Sequence, residues 1–461
     1  MRRCCAPHCR LGLILSVSAA ITVMGWAFFR PQVRGGFFGN NNQVGGVLVD
    51  AAGLVRSSTL EERHQFLNRL RAEVAEPQGN FTESTDLRVI SLKKLQQAIA
   101  RELQTGESLP DEMMMLAGIQ RIEYVLLYPE QNDILLAGPG ESWVVRDDAS
   151  VVGKSSGRPV MMLSDLIVAL QGVEGSRHGG ISVSIEPTAE GRQRLLKMLG
   201  RVQMQPGQNP QNLEPMMREA FGPQLVKFTN VPLQSHYARV LLAADYQMKR
   251  ISMALDPSPV DGLPSYLELA RNDNHTGNEN PRWWMACNYD ALSHDQERLA
   301  WRLSGQGVKT LTEQDVSDKS GQVQATGRKS KSAEKWAELM TTRFDDLAVA
   351  NPIFGELRNV MDLTVVATLI LHEGLDQRAR CDLSLLLGQG VQVPMDTYEA
   401  PKSIAPHCSF IRGKAGWIVT ASGGVEITPF DVVENQVLQP SLVETRQRAA
   451  AEGADSWWWN G

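Results

Sequence analysis

The chain has 461 residues, of which 43% are hydrophobic and 21% charged, a composition typical of a globular protein with two or three domains. Its formal net charge is −6, and residues 31–461 alone carry 42 basic against 52 acidic residues, because the first thirty contain four arginines and no acid. Phosphate binding requires a surplus of lysine and arginine, so we expect no nucleic-acid partner.

The N-terminus has the arrangement of an export signal. A head with three arginines precedes an uncharged run of 19 residues, Leu11 to Phe29, and small residues at Gly25 and Ala27 provide a cleavage site before Phe28. The same run is long enough to remain as an uncleaved anchor. Both alternatives place the body outside the cytoplasm, because the arginine excess lies before the run. We expect a periplasmic or secreted protein, or one anchored in the inner membrane through this segment alone.

Changes in composition divide the chain into six segments. Residues 1–30 form the signal peptide or signal anchor, and the Gly- and Asn-rich residues 31–46 form a tether without periodicity. The body follows as an N-terminal α/β unit at 47–150, a central α/β unit at 151–313, a polar linker or loop at 314–332, and a helical pair with a β unit at 333–461. These units predict two or three subdomains.

Two stretches before residue 260 have the clearest secondary-structure patterns. Residues Arg121–Ala137 contain two β-rich runs about a turn and predict a hairpin. The stretch Leu225–Leu255 predicts a strand, a turn and a long helix that Ser235 caps. Apolar residues recur in this helix every three or four positions, so its stripe must pack on a sheet or another helix. Asp245 and Lys249 lie off the stripe, four residues apart, and we expect them to pair on the surface.

The C-terminal third begins with two predicted helices. Ala333–Val349 has an amphipathic pattern. Pro352 suits the first turn of a second helix that runs to about His372, and its almost wholly apolar centre predicts a core helix that Asp362 interrupts. Together, the alternation of strands and helices predicts an α+β fold in which helices pack on mixed sheets.

No local catalytic or metal-binding motif is present. The eight histidines form no H-E-x-x-H pair, and the chain has no C-x-x-C or G-x-G-x-x-G. We therefore predict neither a metal nor a cofactor. Isolated acids are the candidates for catalysis: Glu123, which lies in a predicted strand, Asp245 and Asp290. A salt-paired structural acid is the alternative identity of such a residue.

Three cysteines would remain after cleavage of the signal: Cys287, Cys381 and Cys408. We expect a disulfide between Cys381 and Cys408, because both lie in the C-terminal unit and an exported protein meets oxidants. Three buried, reduced thiols are the alternative.

Tryptophans offer faces that could contact a ligand. The candidate ligand-binding residues are Trp283, Trp284, Trp457, Trp458 and Trp459. For the last three, docking of the C-terminal tail on the core is the favoured alternative, because chain ends are ordered mainly when they are tied down.

The amino-acid sequences of several segments resemble a known family. These segments are LAGIQRIEYVLLYPEQNDILLAGP at Leu116–Pro139, AADYQMKRISM at Ala243–Met253, GGVLVDAAG near the start of the body and RPVMMLSDL after the hairpin. From Gly45 to about Gly424 the chain resembles a planctomycete domain-of-unknown-function family of exported proteins. The resemblance implies export and a shared fold, and it implies no catalytic residues.

The export signal, combined with the lack of a local catalytic signature, predicts an exported cell-envelope protein of a non-enzymatic kind, a binding or structural module. An envelope protein or glycan is the expected partner. A hydrolase of envelope polymers is the alternative, and two carboxyls that face each other in a cleft would favour it.

Overall fold

The computed structural model describes residues 43–106, 108–202, 210–272, 279–318, 320–406, 411–412, 417–418, 422–450 and 456–461. The predicted export signal lies outside these residues, and so does the predicted tether as far as residue 42. All described residues belong to one compact unit, Val33–Gly461.

The helices of the described residues are α1 (Leu60–Glu73), α2 (Leu92–Thr105), α3 (Asp111–Met114), α4 (Leu163–Ser176), α5 (Ala189–Leu199), α6 (Glu214–Phe221), α7 (His236–Ser252), α8 (Tyr266–Leu269), α9 (Lys331–Thr342), α10 (Phe344–Ala350), α11 (Pro352–His372), α12 (Leu375–Ala379), α13 (Pro429–Glu434) and α14 (Leu442–Ala450). Short 3-10 turns lie at Gly79–Thr82, Leu116–Gly118, Pro129–Gln131, Pro210–Leu213 and Ala270–Asn272.

The strands are β1 (Gln43–Val44), β2 (Val47–Val49), β3 (Leu54–Ser57), β4 (Thr85–Ser91), β5 (Tyr124–Tyr128), β6 (Asp133–Gly140), β7 (Trp143–Val145), β8 (Val151–Gly153), β9 (Ile181–Pro187), β10 (Gln224–Thr229), β11 (Glu279–Asn288), β12 (Leu292–His294), β13 (Ala300–Arg302), β14 (Gly307–Ser317), β15 (Val323–Ala325), β16 (Ser403–Ile404), β17 (Ile411–Arg412), β18 (Trp417–Ile418), β19 (Ser422–Ile427), β20 (Gln436–Leu438) and β21 (Trp458–Asn460).

Two mixed sheets organise these strands. The large sheet has the order β1-β2-β3-β16-β10-β9-β19-β11-β14-β15, and the second sheet has the order β20-β12-β13-β5-β6-β4-β21. In the large sheet β19 is parallel to β11 but antiparallel to β9. Helices pack on these mixed sheets, so the predicted α+β fold class is confirmed.

The predicted strand, turn and helix over Leu225–Leu255 are confirmed as β10 and α7. Ser235 caps the helix as predicted, because its Oγ accepts the backbone N–H of Ala238 at 3.1 Å. Helix α7 packs on strands β9 and β19 and also on helices α4 and α11. It is therefore buried on almost every side and not only along its apolar stripe.

The predicted surface location of the Asp245–Lys249 pair is wrong. Lys249 Nζ does donate to Asp245 at 2.8 Å, but Asp245 is fully buried and Lys249 nearly so. The same ammonium donates to the backbone carbonyls of Ile185 on β9 and Gly423 on β19. Spacing along a helix shows which residues share a face, but it does not show that a sheet will cover the polar face as well.

The predicted core helix is confirmed as α11, and Asp362 within it is fully buried. Arg121 compensates this charge, with its Nε 2.9 Å from Asp362 Oδ2. The single helix predicted at Ala333–Val349 is instead two helices, α9 and α10, because Arg343 between them adopts a non-helical backbone conformation.

Strands occupy parts of two segments that composition predicts to be a linker and a tether. The polar linker at 314–332 is partly a hairpin, since β14 continues to Ser317 and pairs with β15. Polar residues suit a sheet edge that faces solvent on one side. Gln43–Val44, near the end of the predicted tether, pair with Val47–Leu48, and residues 31–42 lie outside the described residues.

The large sheet combines strands from the N-terminal, central and C-terminal units that composition suggested. The boundaries proposed after residues 150 and 313 stay predictions. Among the helices of the described ranges, none combines the length and the apolar character needed to cross a membrane.

Candidate functional site

A cavity of about 470 Å³ opens where the helices α1, α4, α7 and α11 meet the β1–β2 turn and the β7–β8 turn. Its size falls within the range of small-molecule sites. Charged and polar side chains line it together with apolar ones, and they include Arg63, Asp148, Asp165, His236, Arg250, Asp256, Glu356 and Tyr398.

The first element of the site is a histidine–carboxylate pair. The cap at Ser235 starts α7 so that His236 is its first residue, and Asp165 lies in the first turn of α4, where the helix dipole favours a carboxylate. His236 Nδ1 lies 2.9 and 3.1 Å from the two Asp165 oxygens. Side-chain exposure is only 13% for His236 and 5% for Asp165, so solvent screens this pair weakly.

The charge state of His236 follows from its neighbours. Burial lowers its pKa, but the charge and hydrogen bond of Asp165, helped by Glu356 and Asp396, outweigh burial and raise the pKa to about 9. At neutral pH the ring is therefore an imidazolium whose charge is balanced by Asp165.

The second element is Glu356, in the second turn of α11. Its Oε2 atom is buried and makes no hydrogen bond to the described residues. Burial raises the pKa of this carboxyl to about 7; His236 opposes the rise, and Asp165 and Asp148 add to it. Glu356 therefore changes charge near neutral pH, and none of the described residues donates a hydrogen bond to its Oε2 atom.

Close packing fixes the position of Glu356. A Cβ on the preceding Gly355 would lie 2.7 Å from Pro159 Cδ, so the absence of a side chain lets α11 approach this segment. One turn later, Asn359 Nδ2 donates to the Pro159 carbonyl at 3.0 Å. The carboxyl is thus carried on a rigid buried helix, as a preorganised binding group requires.

Aromatic and basic groups complete the cavity. The ring of Tyr398 is buried, with its centroid 6.0 Å from that of His236, and burial raises its pKa well above the usual value, so it is a neutral phenol. Arg250 is held by Asp256 through two hydrogen bonds of 2.6 and 2.7 Å. Arg63 is exposed.

The structure does not bring the three acids predicted from sequence into this cavity. Asp245 is committed to Lys249. Glu123 precedes β5, where its backbone bonds to Ala137 and Leu303, and Asp290 is exposed and accepts from Ser304.

None of the predicted tryptophans lines the cavity either. Trp283 is fully buried in β11. Trp284 is half-buried beside the guanidinium of Arg282. The tail docks on the core, the favoured alternative, because β21 pairs with β4 and Trp458 stacks on Phe81 at 4.0 Å. Trp457 is half-buried against the core, and Trp459 donates to the Ala449 carbonyl.

Cys381 is buried and Cys408 lies outside the described residues, so their disulfide stays a prediction. Burial raises the thiol pKa of Cys287 and of Cys381 to about 12. Within the described ranges, no group of three or more His, Cys, Asp or Glu side chains is placed to hold a metal ion.

A family model described as a protein of unknown function (DUF1598) matches residues 183–266, which run from β9 into α8 and include His236. No curated protein and no solved structure matches the chain. The match supports a relationship to an uncharacterised family, which is the coarser part of the resemblance found in the sequence.

Proposed function

We propose that the protein is an exported, non-enzymatic binding module of the cell envelope and that a small ligand occupies the cavity at Glu356. The observation that carries this proposal is Glu356, which lines a cavity of about 470 Å³ and whose buried Oε2 atom has no hydrogen-bond partner among the described residues. An unsatisfied buried polar atom costs about 1–3 kcal/mol. A ligand that donates a hydrogen bond there would remove that cost.

Preorganisation supports binding as the role of the site. Asp165 fixes His236 through both of its oxygens, and Asn359 fixes α11. These groups need little further ordering when a ligand arrives, which lowers the entropic cost of association. An envelope glycan fragment is the proposed ligand, because its hydroxyl and amide groups donate hydrogen bonds.

Calorimetric titration of the purified full chain tests this proposal. The probes are N-acetylated oligosaccharides and short peptides released from envelope polymers. We expect at least one probe to bind, and Glu356→Ala to weaken that binding about tenfold or more, since each 1.4 kcal/mol is a factor of ten. Glu434→Ala is the matched control, because Glu434 is an exposed acid at the end of α13 and outside the cavity. Failure of every probe, or equal affinity in both variants, would contradict the proposal.

Export is supported by the cationic head and the 19-residue apolar run that precede the body. Fractionation of the native cells, with immunodetection of the full chain, tests it. We expect the protein in the envelope or extracellular fraction. Mature protein confined to the cytosol would refute an envelope role.

A hydrolase of envelope polymers is the second candidate function. The observation that favours it is the presence of Asp165, His236 and Glu356 on one cavity, with Glu356 titrating near the pH at which proton transfer is most effective. Release of reducing ends or amines from insoluble envelope polymer tests it. If the protein is a hydrolase, Glu356→Gln should lower its rate roughly 10²–10⁴-fold. If the wild-type protein releases nothing, binding alone remains.

A further inference from the structure

Acidic groups outnumber basic groups around Glu356. The groups that face it or its neighbours come from every element that packs around the cavity: Asp165 of α4, His236 of α7, Asp148 of the β7–β8 turn, Asp396 and Tyr398 before β16, Arg63 of α1, and Arg250 with Asp256. Both histidine and glutamate experience the negative charges of this set, because Asp165 and Asp396 act on His236 while Asp165 and Asp148 act on Glu356.

The cations that line the cavity are either paired with an acid or exposed to solvent. Asp165 contacts His236 with both oxygens and balances its charge. Asp256 binds Arg250 through both of its oxygens. Arg63 is exposed and donates to the Ser58 carbonyl. No lysine or arginine among the described residues forms an ion pair with Glu356, and the cation that acts on it, His236, is already paired with Asp165.

The aromatic residues of the cavity suit the same kind of ligand. Phe66 and Tyr398 both line it and both are buried. Aromatic rings attract ammonium groups through their negative faces, and the attraction grows when the ammonium is removed from water. A carboxylate ligand would gain nothing from these rings and would be repelled by the acids.

We propose, building on the function proposed above, that the cavity takes a small ligand with a primary ammonium group, and that this group donates to the carboxylate of Glu356. Uptake of the cation then requires Glu356 in its ionised form, so a proton leaves the protein as the ligand enters. Asp165 acts as a positioning residue, because it keeps the imidazolium of His236 paired and leaves Glu356 as the ligand's counter-ion.

The sign of the pH dependence follows from the groups that titrate. Below about pH 7 Glu356 is protonated and binds the cation weakly, and above pH 7 it is ionised and binds it tightly. His236 keeps its proton up to about pH 9, so its charge stays constant between pH 6 and pH 8. Glu356 is then ionised in about one molecule in ten at pH 6 and nine in ten at pH 8, which predicts an affinity change of about tenfold.

Three six-carbon polyols test the ligand class by calorimetry on the full chain: glucamine, which carries a primary ammonium, neutral sorbitol, and anionic gluconate. At pH 8 we expect glucamine to bind at least about tenfold more tightly than the other two, and to weaken about tenfold at pH 6. Titrations in buffers of different ionisation enthalpy should show proton release at pH 6.5.

Two variants complete the test. Glu356→Gln is nearly isosteric and should reduce glucamine affinity to that of sorbitol and remove its pH dependence, whereas Glu434→Gln should change neither. Thermal unfolding of both variants confirms that they are folded. Tighter binding of gluconate or sorbitol, or a pH dependence that persists in Glu356→Gln, would overturn the ammonium assignment and leave the binding function intact. If no polyol, oligosaccharide or peptide binds, both proposals are refuted.

Discussion

Replacement of Asp165 by Asn tests the electrostatic account of the cavity. Burial opposes the charge on His236, yet Asp165 raises the histidine pKa from 6.5 to about 9. At about 1.4 kcal/mol for each pH unit, this rise corresponds to about 3 kcal/mol of folding free energy. Because the folded pKa lies above the unfolded value, this stabilisation is fully present below pH 6.5 and is lost as the pH rises through 9.

We therefore expect Asp165→Asn to lower the free energy of unfolding by about 3 kcal/mol more at pH 6 than at pH 9.5. Urea unfolding at the two pH values, followed by tryptophan fluorescence, measures this difference. Titrating groups that Asp165 does not affect cancel in the comparison, and the contribution of Glu356, whose pKa Asp165 also raises, is measured in the control. The double variant Asp165→Asn/His236→Gln is the control, since its destabilisation relative to His236→Gln alone should not depend on pH in this way. An equal effect of Asp165→Asn at both pH values would refute the charged pair.

The remaining predictions concern the core. Gly423→Ala should unfold the protein or lower its free energy of unfolding, measured with urea, by more than about 4 kcal/mol. The φ of Gly423 is +148°, and a Cβ there would lie 1.5 Å from the Trp283 carbonyl oxygen. A loss below about 1 kcal/mol would contradict this packing. Lys249→Met should lower the free energy of unfolding by about 3–5 kcal/mol, because it leaves Asp245 buried without its counter-ion. Adding Asp245→Leu should restore part of that stability. If the effects of the two substitutions simply add in the double variant, the coupling is refuted. Burial raises the pKa of the Cys381 thiol to about 12, so iodoacetamide at pH 8 should modify this thiol only after the protein is unfolded. Rapid modification of the native chain would show that the thiol is accessible. No modification after unfolding without reductant would show that Cys381 is in a disulfide.

Periodicity predicted much of the architecture, because burial of one face imposes a local pattern. The apolar stripe and Ser235 cap located α7, and Pro352 with the apolar run after it located α11. Local patterns carry no information on what covers the other face of a helix. For this reason the helical spacing predicts Asp245 and Lys249 at the surface, although the large sheet buries them.

The site itself could not be derived from spacing. Asp165 and His236 are 71 residues apart in the chain, and Glu356 lies on a third helix. The packing of α4 and α7 against α11 brings them together, and each residue taken alone is an ordinary polar residue near a helix start. The available signal was weak: polar side chains in the first two turns of helices that are otherwise apolar. The sequence had pointed instead to Glu123 and Asp290, whose immediate surroundings are structural or exposed.

The central claim is that Asp165, His236 and Glu356 form one electrostatically coupled ligand site, and nitrogen NMR of ¹⁵N-histidine-labelled protein tests it most directly. The signal of His236, assigned with His236→Gln, should remain that of an imidazolium up to about pH 9 and should shift when glucamine is added at pH 8. A ring that loses its proton near pH 6.5, with a signal that no added probe changes, would contradict the account.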